Sequence, residues 1–251
     1  VRRYGQWFPN LLERSQFNRR LRKLGRMLEM LRREWIKELG GLDALSLVID
    51  TKPIPIVGYR RNKKKSNFHG SADYGYCAAR KMSARHAEVS SACAIALLKY
   101  FGYKLVVLPT LKGLPIAYDL VPANTDERDA VEGVLEVVRG CDIYGDKGFI
   151  GQDWQEEIAE STGNRIWTIQ RANQQQTSPS LKRLISKIRQ RIEGVFHELQ
   201  NTGRNPERLL NKTVDGFATH IAAKITSHTL RLFLRRQFGI DVLTFQSLST
   251  Y

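Results

Sequence analysis

Apolar and polar positions divide the chain into a helical start, a strand-rich middle and a helical end. Over 11–39, Leu21, Leu24, Met27, Leu28 and Leu31 recur at three-to-four spacing, which predicts a helix stopped by Gly40 and Gly41. LSLVID (45–50) reads as a short buried strand ending at Asp50, and Pro53 and Pro55 then stop a central strand. YRRNKKKSNFHG (59–70) has no apolar period and reads as a loop, while the Ala-rich 83–98 predicts a helix. GYKLVVLPT and LPIAYDLVP, joined through Lys112 and Gly113, read as a hairpin. NTDE (124–127) has the form of a capping box opening a helix that carries Val131, Val134, Leu135 and Val138 and ends at Gly140. CDIYGD predicts a strand ending at Asp146, 152–161 a helix, RIWTIQ a strand, and 180–200 and 214–238 two long helices. Hairpin strands followed by strands alternating with helices predict an α/β fold, a mixed sheet flanked by helices. It carries a basic helical arm over 1–41, a body over 42–251 and a C-terminal helix.

Charge narrows the partner. The 251 residues hold 40 Lys+Arg against 25 Asp+Glu, a formal charge of +15. The excess is clustered: Arg14, Arg19, Arg20, Arg22, Lys23, Arg26, Arg32 and Arg33 on the first helix, then Arg60, Arg61, Lys63, Lys64 and Lys65 in the 59–70 loop, among Tyr59, Phe68 and His69. Clustered basic charge is the footprint of a nucleic-acid binder, with a solvated basic surface as the alternative. The arm suits a DNA contact, a dimer contact or plain packing on a core. Cys77, Cys93 and Cys141 have no metal-like spacing, which argues against a disulfide framework or zinc knuckle and fits a reducing cytosol. No apolar run reaches membrane-spanning length, and the first residues lack a signal-peptide core. Val1 at the start reads as an alternative start codon or a trimmed N-terminus. Phosphate-cradling Walker loops and GxSxG elbows are absent.

Three acids draw the eye. Asp50 and Asp146 end strands, where α/β sites are built. Glu193 lies about 100° from Ile192 around the 180–200 helix, on the flank of its apolar stripe. Arg189 lies one turn earlier on that flank, with Lys182 farther back. Three carboxylates meeting at the sheet rim would hold hard divalent cations through oxygen. Two such ions support phosphodiester displacement. Each acid also has a plainer reading: Asp50 as a turn residue, Asp146 as a helix cap, Glu193 as the ion-pair partner of Arg189. His220, Lys224 and His228 repeat at four-residue spacing on the last helix and read as packing residues, and His197 as an exposed one.

FPNLLERSQFNRR (8–20), VIDTKPIPI (48–56), SADYGYCAARK with YFGYKL, GLPIAYDLVPANTDER (113–128), YGDKGFIG (144–151) and RIEGVFHEL (191–199) together resemble the transposases of bacterial insertion sequences, most closely insertion-sequence family 982. The resemblance spans nearly the whole chain. It implies an RNase H-like DDE domain with Asp50, Asp146 and Glu193 as catalytic acids and ligands of two Mg²⁺ (or Mn²⁺) ions. Arg189 matches an Arg of the family's extended motif, whereas Ser186 and Gln200 stand where Tyr and Lys would be. Residues 82–98 are extra, a helical insertion between strands, and the segment before FPNLLERS is shorter than in the family.

The expected activity is metal-dependent strand cleavage and strand transfer at insertion-sequence ends. The expected partners are double-stranded DNA, as terminal inverted repeats and target, and a second copy in a homodimer. The expected setting is the bacterial cytoplasm, at the nucleoid and away from membranes. Lys147, Lys182, Arg189 and the loop residues Arg60, Arg61, Lys63, Lys64 and Lys65 are the expected DNA contacts. An inactive or truncated DNA-binding derivative and an RNase H-like nuclease acting on other nucleic acid are the rival readings.

Overall fold

The computed structural model describes residues 12–56, 62–78, 97–168, 178–201 and 212–240. At its centre β1 (Ser46–Val48) runs through Ile49 into β2 (Asp50–Pro55). β4 (Leu97–Pro109) lies antiparallel to β2, with Asp50 opposite Val107 and Pro55 opposite Gly102. β3 (Asp73–Ala78) pairs with the first half of β4, and β5 (Pro115–Pro122) with its second half. On the other side, β6 (Asp142–Gly145) and β7 (Arg165–Thr168) run parallel to β1. A bridge between Leu47 and Thr110 ties the two halves together. The order β5-β4-β1/β2-β6-β7 is a mixed sheet of RNase H-like architecture.

Side chains alternate across this sheet, as strand geometry requires. Leu47, Ile49, Val106 and Leu108 face one core, closed by Ile36 of α2 (Gly25–Glu38), Val131, Val134 and Leu135 of α3 (Asp129–Leu135) and Ile158 of α4 (Gln152–Thr162). Val48, Ile54, Leu105 and Val107 face the other. There Ile188, Ile192, Val195 and Phe196 of α5 (Pro179–Asn201) meet Phe217, Ile221 and Ile225 of α6 (Val214–Phe238). Among the described residues no helix is long and apolar enough to cross a membrane.

Several expectations are corrected here. The 11–39 helix is two helices, α1 (Arg14–Lys23) and α2, divided at Leu24. Arg32 is buried, not solvated. It bonds the Pro115 and Ile116 carbonyls at 2.8 and 3.2 Å, pairs with Glu29 and stacks over Tyr118. The strand does not stop at Asp50 or at the prolines. In β1 and β2 the odd-numbered amides face β6, as the bond from Ile49 N to the Tyr144 carbonyl shows. Ile56 N turns the opposite way, to Phe101 of β4. Pro53 and Pro55 therefore lack N–H groups where β6 has already ended, so no ladder bond is lost. Leu97 and Leu98, read as the end of a helix, begin β4; the rest of the 82–98 insertion lies outside the described residues. β3 was not anticipated as a strand.

Candidate active site

Asp50 and Asp146 each lie two residues past the paired Val48 and Tyr144 of the parallel strands β1 and β6. Both are half-buried. Alternation places Asp50 on the face of Val48 and Ile54, and Asp146, in extended backbone, on the face of Tyr144; these three neighbours all pack in the α5–α6 core. Two carboxylates thus leave neighbouring strands toward one face, Asp146 just past the end of β6 and Asp50 where the continuous β1–β2 strand runs beyond its pairing with β6. Each also accepts the amide that follows it, Asp50 Oδ1 from Thr51 N at 2.8 Å and Asp146 Oδ1 from Lys147 N at 2.6 Å. The helix-cap reading of Asp146 and its placement at the rim are therefore both true: it caps the 3-10 turn Lys147–Phe149.

The turn is anchored from below. Phe149 is 1% exposed, and its ring lies against Gly145 and Ile49. Burying such a side chain contributes roughly 1.5–3 kcal/mol, enough to fix where the turn and its acid sit. Gln155 of α4 donates to the Phe149 carbonyl at 3.0 Å from the outer side.

Glu193 rides on α5, which packs against β1 and β6. Lys52, two residues beyond Asp50 on the same face, holds its Nζ 5.7 Å from the ring centre of Phe196, one helical turn past Glu193. The helix therefore passes beside the strand-end acids. Glu193 itself is exposed, and among the described residues no three His, Cys, Asp or Glu side chains are gathered to hold a metal ion. Asp50 and Asp146 thus leave neighbouring strands toward one face, and Glu193 lies exposed on the helix that packs against those strands.

Glu127 was missed. It was expected to close a capping box with Asn124, but α3 begins later, at Asp129, with no side-chain cap. Glu127 instead reaches across the sheet end. Its Oε1 lies 3.5 Å from Thr51 Oγ1, and its Oε2 occupies the space a Cβ at Gly148 would need. Gly148 does not have a positive φ, and a Cβ there would meet only the Glu127 carboxylate, the flexible end of a side chain that can move aside. The ER in TDER beside the GDKGF glycine was the available signal, and local cap chemistry masked it.

Of the expected DNA contacts, Lys64, Lys65 and Lys147 are exposed, and Lys63 and Lys182 are half-buried. Arg60, Arg61 and the Arg189 side chain lie outside the described residues. Asp142 opens β6 at the far end from Asp146 and accepts from Trp167 Nε1 at 2.9 Å. His197 is exposed. His228 is buried, with Nε2 3.0 Å from the Gly113 carbonyl and Nδ1 3.3 Å from Glu198, which also pairs with Arg231. Burial pushes the His228 imidazole below its ordinary pKa, although the Gly113 carbonyl and Glu198 pull the other way. Burial also lowers Lys224, to about 8.

The family model described as "Transposase DDE domain" matches residues 43–230, and the chain belongs to that family. DDE transposases generally act on DNA with divalent metal ions, and often as dimers. No curated protein and no solved structure matches the chain.

Proposed function

We propose that the chain is an insertion-sequence transposase, most similar to the insertion-sequence family 982 type, acting as a homodimer on terminal inverted repeats and target DNA in the bacterial cytoplasm. The reading rests above all on Asp50 and Asp146 leaving neighbouring parallel strands on the face covered by the helix that carries Glu193. Asp50, Asp146 and Glu193 are the proposed ligands of two Mg²⁺ or Mn²⁺ ions, with Glu193 swinging in from its exposed position when DNA binds. Once bound, the ions supply Lewis-acid activation of the attacking hydroxyl and neutralise the phosphate. The protein's own part is positioning. The strand register fixes the separation of the aspartates, and the Phe149 anchor holds the turn. Lys147 and Lys52 lie close enough to the acids to hold phosphate oxygens, with Arg189 and Lys182 along α5. Water attacks the scissile phosphorus and the 3′-oxygen leaves as a hydroxyl. That hydroxyl then attacks a target phosphodiester and displaces its 3′-oxygen.

The test is nicking of duplexes carrying candidate ends, with Mg²⁺ or with chelator. The expected result is end-dependent nicking that Asp146→Ala abolishes while duplex binding persists. Nicking that survives Asp146→Ala overturns the reading. Cleavage indifferent to end sequence points instead to a general RNase H-like nuclease. The exposed position of Glu193 favours a second reading, a transposase-derived protein that binds ends without cutting. It predicts tight duplex binding and no metal-dependent nicking.

A further inference from the structure

The β3–β4 corner lies away from the acids, at the opposite end of β2. Tyr74 and Tyr76 project from one face of β3, 41% and 62% exposed, with Phe101 and Lys99 directly opposite them on β4. Lys99 Nζ sits 4.6 Å from the Tyr74 ring centre and 5.8 Å from that of Tyr76. Tyr74 meets Phe101 edge-on at 5.2 Å, and the two rings form one wall of a cleft of about 810 Å³. Lys63, Lys64 and His69 line its other side. Asp73, the acid at its rim, is engaged by its neighbours, accepting from Asn124 Nδ2 at 3.0 Å and from Tyr74 N at 2.6 Å.

Large rings left in water beside clustered cations need an amphipathic, anionic occupant. A protein helix would use the apolar surface but not the three lysines, and a bare phosphate would use the lysines but not the rings. Nucleotide chain uses both. In a duplex the bases are stacked on each other and closed to a side chain, so the solvent-exposed rings of Tyr74 and Tyr76 suit unpaired bases. The Lys99 contact is solvent-exposed and weak, so a base can displace the ammonium onto its own phosphate.

We infer that Tyr74, Tyr76 and Lys99, with the Lys63–Lys64 cleft below them, form a docking site for an unpaired DNA segment. The site rests on the proposed function, nicking at duplex ends, and adds to it that strand unpaired at the nick docks here. Bases stack on Tyr74 and Tyr76, and the phosphates meet Lys99, Lys63 and Lys64.

The test uses the full chain with fluorescently labelled oligo-dT and a duplex of equal length, titrated over a range of salt. Tyr74→Ala with Tyr76→Ala is expected to weaken oligo-dT binding by roughly tenfold or more and to leave duplex binding within about twofold. Tyr→Phe at both positions is expected to restore it, because the ring and not the hydroxyl does the stacking. Lys99→Gln is expected to lower the salt slope for oligo-dT by about one. If the double variant does not fold, Tyr76→Leu alone and photocrosslinking of iodouracil-containing strand to the unaltered protein decide: crosslinks at Tyr74 or Tyr76 support the site, and crosslinks only elsewhere overturn it. Equal losses for strand and duplex, or no loss, also overturn it. Wild-type nicking of ends with unaltered oligo-dT binding in the Tyr variants removes the docking site alone. Failure of the wild type to bind either DNA removes the transposase reading as well.

Discussion

Asp146 and Glu193 carry the same functional group on supports of opposite character. Asp146 sits at the end of a paired strand, capped by its own turn and pinned by buried Phe149. Glu193 sits on the outer flank of a long helix, exposed, with several rotatable bonds between it and the rim. Strand pairing sets position to a fraction of an ångström, because one register step turns every side chain to the other face. A helix face sets only a direction. On the proposed reading, two of the three metal ligands are built into the fold, and the third would arrive by rotamer and helix adjustment.

The sharpest way to break that contrast is to neutralise each acid. Asp146→Asn should reduce metal-dependent nicking by on the order of a thousandfold or more, with thermal stability nearly unchanged. Nicking gels and a melting curve check this together. Glu193→Asp, which shortens the reach by one methylene, should cost less, roughly ten- to a hundredfold, because a mobile helix-borne carboxylate can be partly compensated. If Glu193→Asp is as damaging as Asp146→Asn, the third acid is as rigidly required as the others and the contrast fails.

Next in size is the rigid side itself. Gly148→Ala puts a methyl where the flexible end of Glu127 sits and should cost at most about 1 kcal/mol by urea unfolding. Most of that should return in the double variant with Glu127→Ala, which a double-mutant cycle would reveal. Additive losses would mean the collision is relieved elsewhere.

The smallest effect concerns the helix that carries Glu193. Glu198 of α5 faces His228 and pairs with Arg231 on α6, with Lys224 one turn away. Since the folded state lowers the His228 pKa below 6.5, the unfolded chain takes up its proton first. The stability this neutral histidine contributes is complete above about pH 6.5 and is lost as pH falls toward the folded pKa. Urea midpoints should fall between pH 7.5 and 5.5, and His228→Gln should flatten the change. An unchanged slope in that variant would assign the pH effect to other groups.

Much of this was readable in advance, for identifiable reasons. α5 announces itself because its apolar residues keep one face through many turns, and α6 because a long run holds no Pro and only Gly216. The apolar runs on either side of the Lys112–Gly113 turn give β4 and β5. What escaped were effects set by distant neighbours. Pro53 and Pro55 look like strand breakers until β6 is seen to end at Gly145. Glu127 looks like a cap until Gly148 is seen beneath it. Arg32 looks solvated until the β5 carbonyls reach it. β3 escaped because DYGYCA mixes glycine with two outward tyrosines and has little inward apolar signal. For the candidate site, pattern singled out Asp50 and Asp146 but set Asp50 at a strand end where the strand in fact runs on, while the exposure of Glu193 depends on how α5 sits on the sheet.

β4 bonds to β2, β3 and β5 along its thirteen residues. Its pairing with β5 closes a short loop and can form early; its pairing with β2 joins residues about fifty positions apart and must wait for loop closure. The strand is therefore the common hinge of the folding pathway. Amides near Leu105 and Val107, in the buried stretch of the strand, should exchange with solvent only when the whole domain opens, and their exchange rates would read out the global stability directly.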